Sequence, residues 1–105
     1  KVSRPYIGIS MLDLSNSYYL WQAGIMVPEN VNNGVAVVKV ESGSPADKAG
    51  LKKGDIITKL AGKDTKSLAE FRYELYKHSP NDSVEVTYIR DGKEQKATLT
   101  LGKSE

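Results

Sequence analysis

Few side chains of this protein could do covalent chemistry. There is a single histidine, His78, and no cysteine. A Ser-His-Asp triad needs a base held by an acid beside an activated serine. His78 instead stands next to Ser79-Pro80 at the close of a helical pattern, and no Gly-x-Ser-x-Gly nucleophile setting occurs. A lone histidine without cysteine also makes a poor zinc site, and thiol nucleophiles and disulfides are excluded outright. The more useful chemistry is in the backbone. In Tyr6-Ile7-Gly8-Ile9 the glycine lets the chain turn so that successive N–H groups point into one concavity, a nest for an anion. Such a site binds and does not catalyse, and it implies no cofactor.

The surrounding elements must hold that turn. Ile7 to Leu14 can be extended, with Ile7, Ile9 and Met11 on one face and Ser10 and Leu12 on the other. Residues 15–33 form a polar and aromatic insertion in which Ser17 to Gly24 suits a short helix closed by glycine. Gly34 to Val40 is a β-branched strand. In Gly43 to Ile57, Ser44 suits a helix cap and Pro45 the first helical position. Gly50 gives a left-handed exit, Gly54-Asp55 a turn, and Ile56-Ile57 enter the core. Ile56 to Leu60 is a further strand, turning at Ala61-Gly62-Lys63-Asp64. Leu68 to Lys77 is the best helix: Ser67 and Glu70 have capping-box spacing, and Leu68, Phe71 and Leu75 share a face. Val84-Val86-Tyr88 and Ala97-Leu99-Leu101 alternate as a hairpin turned at Asp91-Gly92. The sum is an α+β, mainly β fold: a small, partly open β-barrel of about five strands with two to three helices.

Composition agrees with one globular domain over residues 1–105. Net charge is +2 with both signs interspersed, so no basic stripe argues for nucleic acid. No apolar run approaches the roughly 20 residues of a membrane span. A start at Lys1-Val2-Ser3 without Met is what an excised piece of a longer chain would have.

Two strings resemble a known family. Gly43-Ser44-Pro45-Ala46, then Ala49-Gly50-Leu51 and Gly54-Asp55-Ile56, resembles the most specific marker of PDZ domains. Tyr6-Ile7-Gly8-Ile9 after Arg4-Pro5 is similar to the carboxylate-binding loop of PDZ domains in HtrA-type serine proteases. Only five residues precede that loop. In HtrA-type PDZ domains the missing opening strand is supplied by the C-terminus, a permuted strand order, and Glu94 to Leu101 offers such a strand.

The resemblance implies a reader of peptide C-termini. The N–H groups of the Tyr6, Ile7, Gly8, Ile9 loop would hold the carboxylate, and Ser10, Met11 and Leu12 would pair with the peptide as an added strand. Ile7, Ile9 and Leu75 would line the pocket for the last residue, with Met11 adding adaptable surface. On the helix, Leu68 and Arg72 would face the rest of the peptide. Arg72 and Tyr76 compete for one role, and Arg72 also reads as a solvent-facing charge. Leu68, where scaffolding PDZ domains place histidine, implies an apolar preference two residues before the peptide end. The partners implied are C-termini of unfolded or misassembled proteins and an attached protease domain, in an oligomeric, extracytoplasmic, membrane-anchored parent. The alternative is a scaffold or assembly PDZ domain with no protease attached.

Other residues carry two readings. Lys1 and Arg4 either add charge near the carboxylate or are plain solvated flanks. Tyr18, Tyr19, Leu20 and Trp21 are either a partner or membrane contact or, as the favoured reading, Leu20 and Trp21 cover an open barrel end.

Overall fold

The computed structural model describes residues 4–27, 31 and 33–104. Lys1 and the side chain of Arg4 lie outside what is described, so the reading of their charges is not addressed. In chain order the elements are β1 (Arg4–Tyr6), β2 (Ile9–Asp13), α1 (Ser17–Gln22), β3 (Val35–Val40), α2 (Pro45–Ala49), β4 (Ile56–Leu60), β5 (Lys63–Asp64), α3 (Leu68–Leu75), β6 (Ser83–Arg90), β7 (Lys93–Thr100) and β8 (Gly102–Ser104). The main sheet runs β2-β3-β4-β6-β7, all antiparallel, with β5 hung on β4. These are the five strands that alternation predicts. The additional strands β1, β5 and β8 are two or three residues long, too short to show a period of two.

The tail strand occupies the place expected of it. β7 pairs with β6 from Ser83↔Thr100 to Arg90↔Lys93, and the chain then returns as β8 to pair with β1, Tyr6 opposite Gly102. The hairpin turn at Asp91-Gly92 has positive φ at both residues, 54° and 77°, which matches the right-handed twist of its strands.

Two apolar clusters form on opposite faces of β2 and β3. Val35, Val37, Leu51, Ile57, Leu60, Phe71, Val86 and Leu99 are buried in the main core, and Ile9 and Met11 pack against it. Leu20, Ile25 and Ala36 form the second cluster, against which Leu12, Leu14 and Val38 pack. The alternation along β2 is thus satisfied on both sides.

Three expectations need correcting. Leu20 does cover the second cluster at 2% exposure, but Trp21 does not, being 76% exposed. Neighbouring positions of a six-residue helix cannot face the same way, so one turns outward. Helix α3 ends at Leu75 and not Lys77, because Lys77 and His78 N–H groups bond to carbonyls three residues back, a tightened last turn. The capping box is half formed as expected: Ser67 Oγ accepts the Glu70 N–H at 3.2 Å, while Glu70 Oε2 accepts from Lys66 N–H at 2.9 Å instead of from Ser67.

Asp55, which reads from sequence as a turn or hydrogen-bonding residue, is 1% exposed. It accepts the Lys52 N–H at 2.8 Å and a two-pronged contact from Arg90, Nε at 2.8 Å and Nη2 at 2.6 Å. Arg90 Nη2 also reaches the Gly50 carbonyl at 2.8 Å. One ion pair therefore ties the end of α2, the turn before β4 and the end of β6. The bonded carboxylate, more than any other influence, raises the Arg90 pKa above its ordinary value.

Candidate binding groove

β2 is an edge strand, and α3 runs beside it. Between them lies a groove of about 290 Å³ lined by residues 5–11, Glu41, Phe71, Arg72, Leu75 and Tyr76. A larger cavity of about 430 Å³ lies between residues 24–27 and the turns at Gly54 and Gly92. The β2–α3 groove sets apolar side chains beside the unpaired backbone of an edge strand.

The glycine turn closes one end of the groove, and its direction is fixed by hydrogen bonds. Ala46 N–H donates to the Ile7 carbonyl at 3.0 Å, and Glu41 N–H donates to the Gly8 carbonyl at 2.8 Å. In a planar trans peptide the N–H points opposite to the carbonyl of the preceding residue. The N–H groups of Gly8 and Ile9 are therefore turned away from Ala46 and Glu41, towards the open side. Ile9 lies opposite Val40, and the bond from Glu41 to Gly8 marks that pair as one that exchanges no hydrogen bonds across the ladder. The expected anion nest has its geometry in these two groups.

The Gly43–Ile57 stretch supports this turn directly. Ser44 caps α2, its Oγ accepting the Asp47 N–H at 3.2 Å and donating to the Glu41 carbonyl at 2.7 Å. Gly8 has φ +86°, and a Cβ built there would stand 2.7 Å from Ser44 Oγ. The glycine is required twice over, by backbone conformation and by close approach.

The groove gathers most of the residues expected in it. Tyr6, Ile7, Gly8, Ile9, Ser10, Met11, Arg72, Leu75 and Tyr76 all line it. Arg72 and Tyr76 are both exposed on the helix wall, so both border the groove. Leu12 is on β2, the strand whose backbone its expected role uses, and Leu68 opens α3; neither side chain lines this cavity. Leu12 faces the second cluster, as alternation requires of a residue between Met11 and Asp13. Leu68 packs half-buried against the main core, and its N–H donates to the Asp13 carboxylate at the far end of β2.

Phe71 and Glu41 join the lining beyond the expected set. Phe71 is fully buried and forms part of the floor; its place one turn before Leu75 signals this in the sequence. Glu41 follows β3 at a bend, where no periodicity marks it. The Tyr6 hydroxyl donates to the Glu41 carboxylate, and this bond to an anion raises the phenol's pKa above its ordinary 10.0. His78 stands apart from the groove, its Nδ1 4.0 Å from Asp82. No group of three or more metal-ligating side chains occurs among the described residues.

The PDZ-domain family matches residues 5–101. The chain belongs to that family. This PDZ domain is 45% identical over 104 residues to the serine protease Do-like HtrA of Lactococcus lactis subsp. lactis (strain IL1403), covering 99% of this chain and 26% of that protein. It is 44% identical over 108 residues to serine protease Do-like HtrA of Bacillus subtilis (strain 168), covering 100% of this chain and 24% of that one. The domain thus spans about a quarter of the length of these relatives. Among solved structures, the serine endoprotease from Yersinia pestis superposes with a TM-score of 0.74 at 25% identity, over 100% of this chain and 31% of that one. The HtrA3 PDZ domain superposes with a TM-score of 0.76 at 23% identity, over 97% of this chain and 89% of that one. The PDZ domain is a non-catalytic module, and the fold is that of HtrA PDZ domains.

Proposed function

We propose that this PDZ domain binds peptide C-termini with an apolar last residue, adding the peptide to β2 as an antiparallel strand. The observation that carries this reading is the open edge of β2 leading from a glycine turn whose carbonyls are tied back by Ala46 and Glu41. The terminal carboxylate would sit on the N–H groups of Ile7, Gly8 and Ile9. The last side chain would enter the space between Ile7, Ile9, Phe71 and Leu75, with Met11 beside it. Each added main-chain bond contributes only about 0.5–1.5 kcal/mol net. Affinity on the order of micromolar follows, roughly −8 kcal/mol. The HtrA3 PDZ structure holds a phage-derived ligand, FGRWV, and the HtrA-type protease AlgW is solved with a decapeptide, which supports peptide binding here.

The names of the relatives extend the proposal. The domain would supply substrate to, or regulate, an attached HtrA-type serine protease that handles unfolded or misassembled proteins outside the cytoplasm, in an oligomeric and membrane-anchored parent. Regulation requires that peptide bind one state of that parent better than another.

Titrating the labelled domain by NMR with one apolar-ended peptide, as free acid and as C-terminal amide, tests the binding mode. Shifts at Ile7–Leu12 and along α3 with the acid, largely lost with the amide, are expected. Equal shifts from both peptides would mean an internal-segment reader and overturn the role of the glycine turn.

A further inference from the structure

The groove has a charge where a C-terminus reader should least want one. Of the described residues lining it, only Glu41 and Arg72 have acidic or basic side chains, and Arg72 stands on the helix wall. Glu41 stands at the glycine turn. Its backbone is pinned on both sides: its N–H donates to the Gly8 carbonyl at 2.8 Å, and its carbonyl accepts from Ser44 Oγ at 2.7 Å and Ser44 N–H at 3.2 Å. Its carboxylate accepts the Tyr6 hydroxyl, and that hydroxyl lies 3.0 Å from where a Cβ on Gly8 would be. The Glu41 carboxylate is therefore one hydrogen bond from an atom that sits against the nest glycine. A ligand carboxylate on the Gly8 N–H would be separated from it by the Tyr6 hydroxyl, the Gly8 backbone and one further hydrogen bond, at most about 10 Å. That is comparable to the Debye length of ~10 Å at 0.1 M salt.

Resting on the strand-addition reading above, we infer that Glu41 is a specificity-determining residue of the groove. Its charge opposes the incoming terminal carboxylate and holds the Tyr6 hydroxyl that could otherwise donate to it. Glu41 thereby sets how strongly a free C-terminus is preferred over a neutral peptide end. Affinity for free termini is held below what the nest and apolar pocket would give alone.

The test uses an N-acetylated peptide ending in valine, as free acid and as amide, titrated calorimetrically into wild type, Glu41→Gln and Glu41→Ala. Glu41 is exposed and the bonds that tie it to Gly8 and Ser44 are made by its backbone, so both variants keep the turn while changing the hold on the Tyr6 hydroxyl. The acid is expected to bind about three- to tenfold tighter to either variant, the size of a like-charge contact near a surface. The amide should bind all three proteins alike, and the gain for the acid should shrink in about 0.5 M salt, where the Debye length is only a few ångströms. Unchanged or weaker binding of the acid by both variants, or an equal gain for acid and amide, would overturn the inference. The wild-type preference for acid over amide tests strand addition separately, so the two ideas can fail independently.

Discussion

Gly8 lies against Ser44 so closely that no other residue fits between the glycine turn and the start of α2. The contact explains why two strings far apart in the chain belong to one device. Ser44 caps its helix and props the turn, while Ala46, two residues on, ties down the Ile7 carbonyl. Replacing Gly8 with Ala would meet both the φ of +86° and the Ser44 side chain. Gly8→Ala is expected to lose about 1–3 kcal/mol of stability. Peptide affinity should fall at least about tenfold, since the Gly8 and Ile9 N–H groups would be re-aimed. Urea unfolding and peptide titration on one preparation check both; full affinity in a folded variant would refute the nest.

The Asp55–Arg90 pair gives a stability prediction far from the groove. Removing Asp55 strands a cation whose side chain keeps only 27% exposure and frees the turn at Lys52. Asp55→Ala should cost about 2–4 kcal/mol, somewhat below a fully buried pair because Arg90 partly reaches water. Arg90 has its pKa raised, so its contribution is complete below the ordinary guanidinium range and lost only as pH climbs beyond it. Thermal unfolding of Arg90→Ala and wild type should therefore differ by the same amount at pH 6 and at pH 9.

Tyr6 predicts a different pH dependence. Its phenol pKa is raised above 10.0 in the folded protein, chiefly by the hydrogen bond to Glu41. A raised folded value gives stability that is complete below pH 10 and lost as pH rises through the folded pKa. Ultraviolet titration should show the Tyr6 phenol ionising later in wild type than in Glu41→Gln. No difference between the two proteins would count against the bond.

Leu20 and Trp21 are neighbours in sequence with opposite fates. Leu20→Ala should cost about 2–5 kcal/mol, as a buried leucine does. Trp21→Ala should change stability by no more than about 0.5 kcal/mol. Chemical unfolding of the two single variants decides it; a comparable loss from Trp21 would mean that the indole covers the second cluster after all.

Phe71 and Leu75 separate floor from pocket. Phe71 is wholly buried, and Phe71→Ala should lose about 3–5 kcal/mol, so that weakened binding would reflect folding. Leu75 is at the groove's edge at 7% exposure, and Leu75→Ala should shift preference towards a larger last residue, Phe over Val. A peptide-array comparison that leaves the Val-to-Phe ratio unchanged would remove Leu75 from the pocket.

The fold was largely legible because its punctuation is explicit. Ser44-Pro45, Gly50 and Asp91-Gly92 each do locally what their types prescribe. Ile7, Ile9 and Met11 alternate with Leu12 because β2 packs on both faces, and the strand pattern shows it. Long-range partners were not legible. Nothing at Arg90 announces that its fork will meet Asp55, 35 residues earlier, and nothing at Glu41 announces Tyr6. Leu68 opens α3 beside the far end of β2, and periodicity names a face of α3 but not where along β2 that face begins.

The slip in pairing between β2 and β3 has a consequence for solubility. Ser10 pairs with Lys39 but Met11 with Val37, so Val38 is passed over and the ladder kinks at the middle of the exposed edge. Such a kink twists a strand away from the flat geometry that another sheet would need to dock. With α3 standing beside it, the edge admits a single narrow, extended segment and refuses a second broad sheet. The domain can keep a row of backbone groups permanently open without polymerising through it.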